Sequence, residues 1–148
     1  MAAPLKLSDA ITFGRSGQIR GLDPYGFDLS EDSMSWTQEE VAGFSASMAA
    51  LPSEPVLRLV IGATPFIYAG HVARQQFFLF INGLYIGFRT LTVPEKVEFI
   101  LPRNVVTARG LRFELVIPTA ASPKSLGISN DVRKLGIAVS EIILTIQK

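Results

Sequence analysis

The sequence contains no cysteine and a single histidine, His71. Without cysteine there can be no disulfide, no thiolate nucleophile and no zinc–thiolate site. One histidine cannot supply the imidazole cluster that zinc sites commonly use. Motifs such as G-x-S-x-G and G-x-G-x-x-G are also missing. We therefore expect a protein that is not an enzyme and that carries no metal and no cofactor.

Charge is scarce and balanced, with 18% charged residues and a formal net charge of +1. No run of basic residues exceeds the pair Arg133-Lys134, so the basic footprint of a nucleic-acid-binding protein is missing. No stretch approaches the roughly 18 apolar residues of a transmembrane helix. The N-terminus has no basic segment followed by an apolar one, so we expect no signal peptide. The compartment therefore stays open between the cytoplasm and the cell envelope.

Most of the chain shows the two-residue period of β-strands. The clearest signal is Asn82-Gly83 between the apolar runs Gln76–Ile81 and Leu84–Phe88, because a type I′ hairpin turn needs positive φ at both central residues. Alternating runs at 57–61, 96–101 and 111–117 predict further strands, and 136–146 predicts a long closing strand. Earlier strands are expected at 7–13 and 41–48.

These short strands, separated by turn residues, favour an all-β fold, a two-sheet antiparallel jelly-roll sandwich. A length of 148 residues fits one domain, 1–148. Thr37–Glu40 resembles a capping box and allows one helical turn at most. Two long irregular loops are expected, Gly14–Gln38 and Thr119–Leu135, and loops of that length are often functional.

Aromatic side chains are candidate sugar platforms, because the apolar face of a pyranose stacks on a ring. Trp36, the only tryptophan, is the first candidate, and Tyr68 is the second. Packing in the core or at a sheet edge is the alternative for both rings. The ten phenylalanines lie mostly in strands and are expected to form the core.

Polar candidates lie near both loops. Asp131 and Arg133 could line a polar site together with His71, or they could pair with each other to hold the second loop rigid. Four acidic residues of the first loop could bind calcium through oxygen ligands, but their spacing matches no EF-hand, and a solvated acidic loop is the favoured interpretation. Those residues are Asp23, Asp28, Glu31 and Asp32.

One segment resembles a known family. Pro118 to Ala138 reads P-x-A-x-S-P-x-x-L-G-x-S-x-D-x-R-x-L-G-I-A. This pattern is similar to the closing segment of a β-sandwich accessory domain found in bacterial glycosyltransferases and other polysaccharide-assembly proteins of the cell envelope. Gly26-Phe27, Trp36-Thr37 and the spacing from Gln76 to Asn82-Gly83 agree with it. The resemblance implies a carbohydrate-binding-like sandwich that is the non-catalytic partner of such enzymes.

Two functions follow as expectations. The first is a non-catalytic module that binds a glycan, or docks on a glycosyltransferase or polysaccharide-assembly protein, during bacterial polysaccharide synthesis. Its ligand-binding residues would be Trp36, Tyr68, His71, Asp131 and Arg133. The alternative is a structural or protein-interaction domain that docks on a partner, or associates with itself as a homo-oligomer, without binding sugar.

Overall fold

The computed structural model describes residues 4–53, 55–107 and 110–147. Over these residues the chain forms strands, turns and one short 3₁₀ helix, Gln18–Gly21. The strands are β1 (Ala10–Thr12), β2 (Ser35–Trp36), β3 (Val41–Ala46), β4 (Leu57–Pro65), β5 (Gln75–Ile81), β6 (Leu84–Leu91), β7 (Glu95–Leu101), β8 (Leu111–Val116) and β9 (Ile137–Ile146).

The strands make two antiparallel sheets that pack face to face. In the five-stranded sheet the order is β1-β9-β4-β7, and β2 pairs with β9 beside β1. In the four-stranded sheet the order is β3-β8-β5-β6. The chain crosses between the sheets several times, as in a jelly roll. The predicted two-sheet antiparallel sandwich is therefore confirmed.

The predicted hairpin joins β5 to β6. Asn82 and Gly83 both have positive φ, 50° and 82°, as a type I′ turn requires. The Asn82 side chain also fixes the turn to the rest of the sheet, because its Oδ1 accepts the backbone N–H of Arg112 at 2.7 Å. Its Nδ2 donates to the carbonyl oxygen of Val105 at 2.7 Å.

The core lies between the sheets, and strands β5, β7 and β8 contribute alternate residues to it. Phe44 of β3 stacks on Phe113 of β8 with 4.8 Å between ring centroids. Phe13 contacts the edge of Phe44 from the segment after β1. On β9 the inward residues Val139, Ile142 and Leu144 are also buried. Burial of these side chains supplies the main driving force for the sandwich.

The first long loop is less irregular than the sequence suggests, because it contains the 3₁₀ helix and β2. No helical turn forms at Thr37–Glu40. The buried Thr37 hydroxyl instead accepts the N–H of Ile137 at 3.1 Å, which ties the loop to β9. Gly26 has a φ of 73°, and a Cβ there would lie 2.1 Å from the Val41 carbonyl oxygen. Among the described residues no helix has the length and apolar character to cross a membrane.

Candidate functional site

Arg133 joins the two long loops. Its Nη2 lies 2.6 Å from Oδ2 of Asp131, and its Nε donates to the same carboxylate at 3.0 Å. Its Nη1 lies 2.6 Å from Oδ2 of Asp28, which is 105 residues earlier in the first loop. The other Asp28 oxygen accepts the N–H and hydroxyl of Ser30 at 2.8 and 2.6 Å. We call Asp28, Asp131 and Arg133 the arginine cluster.

The pKa values of the arginine cluster follow from these contacts. The hydrogen bonds from Arg133 lower the pKa of the Asp131 carboxyl. The pKa of Asp28 is lowered mainly by the hydrogen bond from the Ser30 hydroxyl and further by Arg133, against the opposing effect of burial. The pKa of Arg133 is raised, above all by its bond to Asp131. All three groups are therefore charged at neutral pH.

Trp36 lies next to this cluster. It is half-buried on β2, where it pairs with Ala138 of β9. Its carbonyl oxygen accepts the N–H of Asp28 at 2.8 Å. Its ring meets Phe66 edge to face with 6.4 Å between centroids. Trp36 thus connects the arginine cluster to the segment that follows β4.

Tyr68 and His71 follow Phe66 in a tight turn. The turn is closed by hydrogen bonds between the backbones of Tyr68 and Val72 at 2.8 and 3.0 Å. Gly70, with a φ of 83°, supplies the positive φ that this turn uses. The Tyr68 and His71 rings stack at 5.2 Å and 21°, and both are exposed. This pair offers an aromatic surface with a hydroxyl and an imidazole at its edge.

The structure places the five predicted residues in two groups, Asp131 and Arg133 beside Trp36, and Tyr68 with His71. The contact between Trp36 and Phe66, two residues before Tyr68, lies between the groups. Asp131 and Arg133 contact each other directly, and so do the rings of Tyr68 and His71. Two further residues of this surface were not predicted as ligand-binding. Phe66 carries no local signal, and Asp28 was considered only as a calcium ligand.

Two of the four acidic residues of the first loop pair with arginines. Asp28 binds Arg133, and Asp32 binds the guanidinium of Arg15. Across 4–53, 55–107 and 110–147, no three histidine, aspartate or glutamate side chains are grouped so that they could hold a metal ion.

A second surface, on the four-stranded sheet, was not predicted. The expectation that the phenylalanines form the core is wrong for several of them, because Phe77 points inward while Phe78 and Phe80 point outward from β5. Phe78 lies 5.7 Å from Phe88, and Phe80 lies 5.6 Å from Tyr85, centroid to centroid. We call these outward residues the β6 patch. Its members are Phe78, Phe80, Tyr85 and Phe88.

The sequence matches no family model. No curated protein shows significant sequence similarity to it. Solved structures do share its fold. The CBM36-1 domain of a multidomain xylanase from the hindgut metagenome of Trinervitermes trinervoides aligns over 95% of this chain and 98% of its own, with a TM-score of 0.52 and 7% identity.

The C-terminal CBM6 of a laminarinase from Zobellia galactanivorans aligns over 93% of this chain and 99% of its own, with a TM-score of 0.53 and 10% identity. The GH26-CBM35 β-(1,4)-mannanase of Podospora anserina has a TM-score of 0.53 and 10% identity over 95% of this chain, and the alignment covers 28% of the mannanase. At these identities the likeness shows the fold, the jelly-roll sandwich of carbohydrate-binding modules.

Proposed function

We propose that this protein is a non-catalytic carbohydrate-binding module and that it binds glycans at the loop end of the five-stranded sheet. The observation that carries the proposal is the exposed Tyr68–His71 pair, which lies shortly after Phe66 in the chain, and Phe66 contacts Trp36 beside the arginine cluster. Exposed rings beside fixed polar groups are the combination that a sugar needs, since its ring faces are apolar and its edges carry hydroxyls.

Each part of this surface has a separate role in the proposal. The Tyr68 ring stacks on a pyranose face, and the Tyr68 hydroxyl and His71 imidazole bind hydroxyls at the edge. A guanidinium has five N–H groups, so Arg133 can hold two carboxylates and still donate to a ligand. Because Asp28, Asp131 and Arg133 are already held in place by their mutual hydrogen bonds, ligand binding orders few side chains. Because the two rings are exposed, they immobilise few atoms of a ligand, which favours weak binding.

The cellular setting is proposed from the resemblance in Pro118–Ala138, the segment that contributes Asp131 and Arg133. We infer that the module works beside bacterial polysaccharide synthesis and that it holds a glycan, or docks on the synthesising protein, without performing chemistry itself. The sandwiches that share the fold come from a xylanase, a laminarinase and a mannanase. Their substrates, xylan, laminarin and mannan, are therefore the first ligands to test, followed by bacterial envelope polysaccharides.

Trp36 provides the assay, because it is the only tryptophan and lies within the proposed site. A bound oligosaccharide should change its fluorescence, and calorimetry should give the same dissociation constant. Tyr68→Ala should weaken binding about tenfold or more, since a stacked ring contributes on the order of 1 kcal/mol or more. Tyr85→Ala, which removes an exposed tyrosine on the other sheet, is the matched control.

Absence of binding across the whole panel would contradict the proposal. So would equal losses in the Tyr68→Ala and Tyr85→Ala variants, because sugar binding would then not depend on the loop end.

The alternative function, a protein-interaction domain, is supported by one specific observation, the β6 patch. The two functions are compatible, since the patch belongs to the four-stranded sheet.

A further inference from the structure

A cleft of about 770 Å³ lies at the end of the four-stranded sheet where β5 turns into β6. Its walls are the end of β3, the start of β8 and the segment that connects β7 to β8. The volume falls within the roughly 300–1,000 Å³ of ligand-binding pockets. We call this feature the hairpin cleft, and it is separate from the loop end that carries Tyr68 and His71.

Asn82 holds the walls of the hairpin cleft together. Its Nδ2 donates to the carbonyl oxygens of Val105 and Gly110 at 2.7 and 3.1 Å, and its Oδ1 accepts the N–H of Arg112 at 2.7 Å. Gly110 has a φ of 131°, and a Cβ there would lie 2.6 Å from the carbonyl oxygen of Ala46. The connecting segment can therefore approach β3 closely. Because these bonds shape the cleft in advance, a ligand does not have to order it.

Arg112 brings a positive charge to the cleft that no carboxylate neutralises. Other arginines are occupied, since Arg15, Arg58 and Arg133 pair with carboxylates and Arg89 donates to backbone carbonyl oxygens. In the part of the chain that the structure describes, the Arg112 guanidinium has no carboxylate oxygen within 4.0 Å and makes no hydrogen bond. Its fork of N–H groups can therefore hold a carboxylate or a phosphate by two parallel bonds.

The carboxylate that follows on the same face of β8 has a different partner. Glu114 lies two residues beyond Arg112 and accepts the hydroxyl of Tyr25 at 2.5 Å. Burial and this bond raise the pKa of Tyr25 to about 12, so the phenol remains a neutral donor to Glu114 at physiological pH. Glu114 is thus bound to the first loop and leaves the Arg112 charge to a ligand.

The sequence around the cleft is basic. Between Glu98 and Glu114 it contains Arg103, Arg109 and Arg112 and no acidic residue, whereas the whole chain has a net charge of only +1. Arg109 lies outside the described residues. Charges of one sign that are concentrated beside a cleft attract ligands of the opposite sign. The hairpin cleft therefore favours an anionic ligand.

The other lining groups suit a sugar ring. Ser45 is the cross-strand partner of Arg112 in the β3–β8 pairing, and its hydroxyl makes no hydrogen bond with the described residues, so it can bind a ligand oxygen. Ala46 and Val105 add apolar surface for the C–H groups of a pyranose. The cleft is also much larger than an inorganic anion, since a water molecule occupies only about 30 Å³.

We propose that the hairpin cleft is a second binding site and that its ligand is an acidic sugar. Arg112 binds the oxyanion, which is the carboxylate of a uronic acid or the phosphate of a sugar phosphate, and Ser45 binds a neighbouring oxygen. This site goes beyond the proposed function, which concerns the loop end, and it does not depend on that function.

The test is calorimetric titration of the whole chain with a galacturonic acid oligosaccharide, with its methyl ester and with glucose phosphate. The two acids distinguish a carboxylate from a phosphate, and the ester keeps the sugar ring without the charge. At least one acid should bind, and the ester should bind more weakly than its parent acid. Arg112→Gln should weaken binding of the acid at least about tenfold, because the charge-assisted hydrogen bonds are lost.

Arg58→Gln is the matched control. It removes the same charge from the outward face of β4 on the other sheet, so it should leave binding of the acid unchanged. Ser45→Ala tests the cleft by a second, small substitution and should weaken binding severalfold. Thermal unfolding of each variant should show that the fold is intact. Equal affinities in Arg112→Gln and Arg58→Gln would overturn the proposal, and so would absence of binding by both acids.

Three other results would also overturn it. If inorganic phosphate binds as tightly as either acid, the cleft holds an anion without recognising a sugar. If a thymidine oligonucleotide binds more tightly than both acids, the ligand is a nucleic acid. If Tyr68→Ala abolishes binding of the acid and Arg112→Gln does not, the acid binds at the loop end, and the proposed function stands.

Failure of the loop-end site would appear differently. Binding of neutral glycans would then be absent or indifferent to Tyr68→Ala, while binding of the acid would still depend on Arg112. The two proposals can therefore fail separately.

Discussion

The contact between Asp28 and Arg133 holds the two long loops together and can be measured by a double-mutant cycle. Asp28→Asn removes the charge and keeps an acceptor for Ser30, whose N–H and hydroxyl bind Oδ1 at 2.8 and 2.6 Å. Arg133→Met removes the guanidinium and keeps the apolar part of the side chain. The coupling energy from the cycle then isolates the pair, provided that neither single variant forms new interactions.

The expected magnitude follows from burial and geometry. Fully exposed ion pairs contribute about 0.2–1 kcal/mol, and removing one partner of a fully buried pair costs about 3–5 kcal/mol. The side chains of Arg133 and Asp28 are 29% and 16% exposed, and the two atoms lie 2.6 Å apart. This pair therefore falls between the two limits, and we expect a coupling energy of about 1–2 kcal/mol.

The chain contains a matched comparison in Lys134 and Glu40. These residues also join the second loop to the start of β3, at 3.1 Å, but their side chains are 55% and 52% exposed. Their coupling should be below about 0.5 kcal/mol. Both cycles are measured by urea unfolding at neutral pH with a common m-value. Equal coupling in the two pairs would refute the argument that burial of the arginine cluster stabilises the loops.

Two further predictions concern stability. The two aspartates bound to Arg133 have lowered pKa values, so their contribution is present above the unfolded pKa of about 4 and is lost as pH falls below it. Between neutral pH and about pH 3, Arg133→Met should therefore lose less stability in urea unfolding than the wild type does, and equal losses would contradict this. Gln75 is fully buried, and its side chain binds the Phe66 carbonyl at 2.9 Å and the Thr119 hydroxyl at 2.7 Å. Gln75→Ala should cost about 2–4 kcal/mol and the neighbouring Gln76→Ala under about 1 kcal/mol, and similar losses would show that the buried amide is not needed.

The hairpin and the strands could be predicted from the sequence because each depends on residues that are close together in the chain. The Asn82-Gly83 turn requires positive φ, and no other part of the sequence has to be known for that inference. Charged residues alternate with apolar ones in β7 and β8, so the buried face of each strand can be read directly. The strands at 41–46 and 137–146 were also predicted, with ends that differ by one or two residues.

The surfaces could not be predicted in the same way. In β5 the run Phe77-Phe78-Leu79-Phe80 is apolar at every position, so periodicity does not reveal which rings lie in the core and which lie outside. The pairing of Arg133 with Asp28 could not be predicted from the sequence either. Asp28 is 105 residues away, and the contact depends on β2 lying beside β9. A charge in a loop gives no information about which distant charge the fold will bring to it.

The arginine cluster also explains how a long loop can form part of a binding surface. Residues 119–135 lie outside the strands, and ordering a loop of this length in the bound state would cost conformational entropy with every ligand. The bonds from Arg133 to Asp28 and Asp131, together with backbone hydrogen bonds within the loop such as those between Ala121 and Leu135, supply this order before any ligand binds. A weak ligand such as a sugar gains most from this arrangement, because its own contacts could not offset the ordering of a flexible loop. Arg133→Met should therefore weaken glycan binding at the loop end even where the ligand makes no contact with the guanidinium.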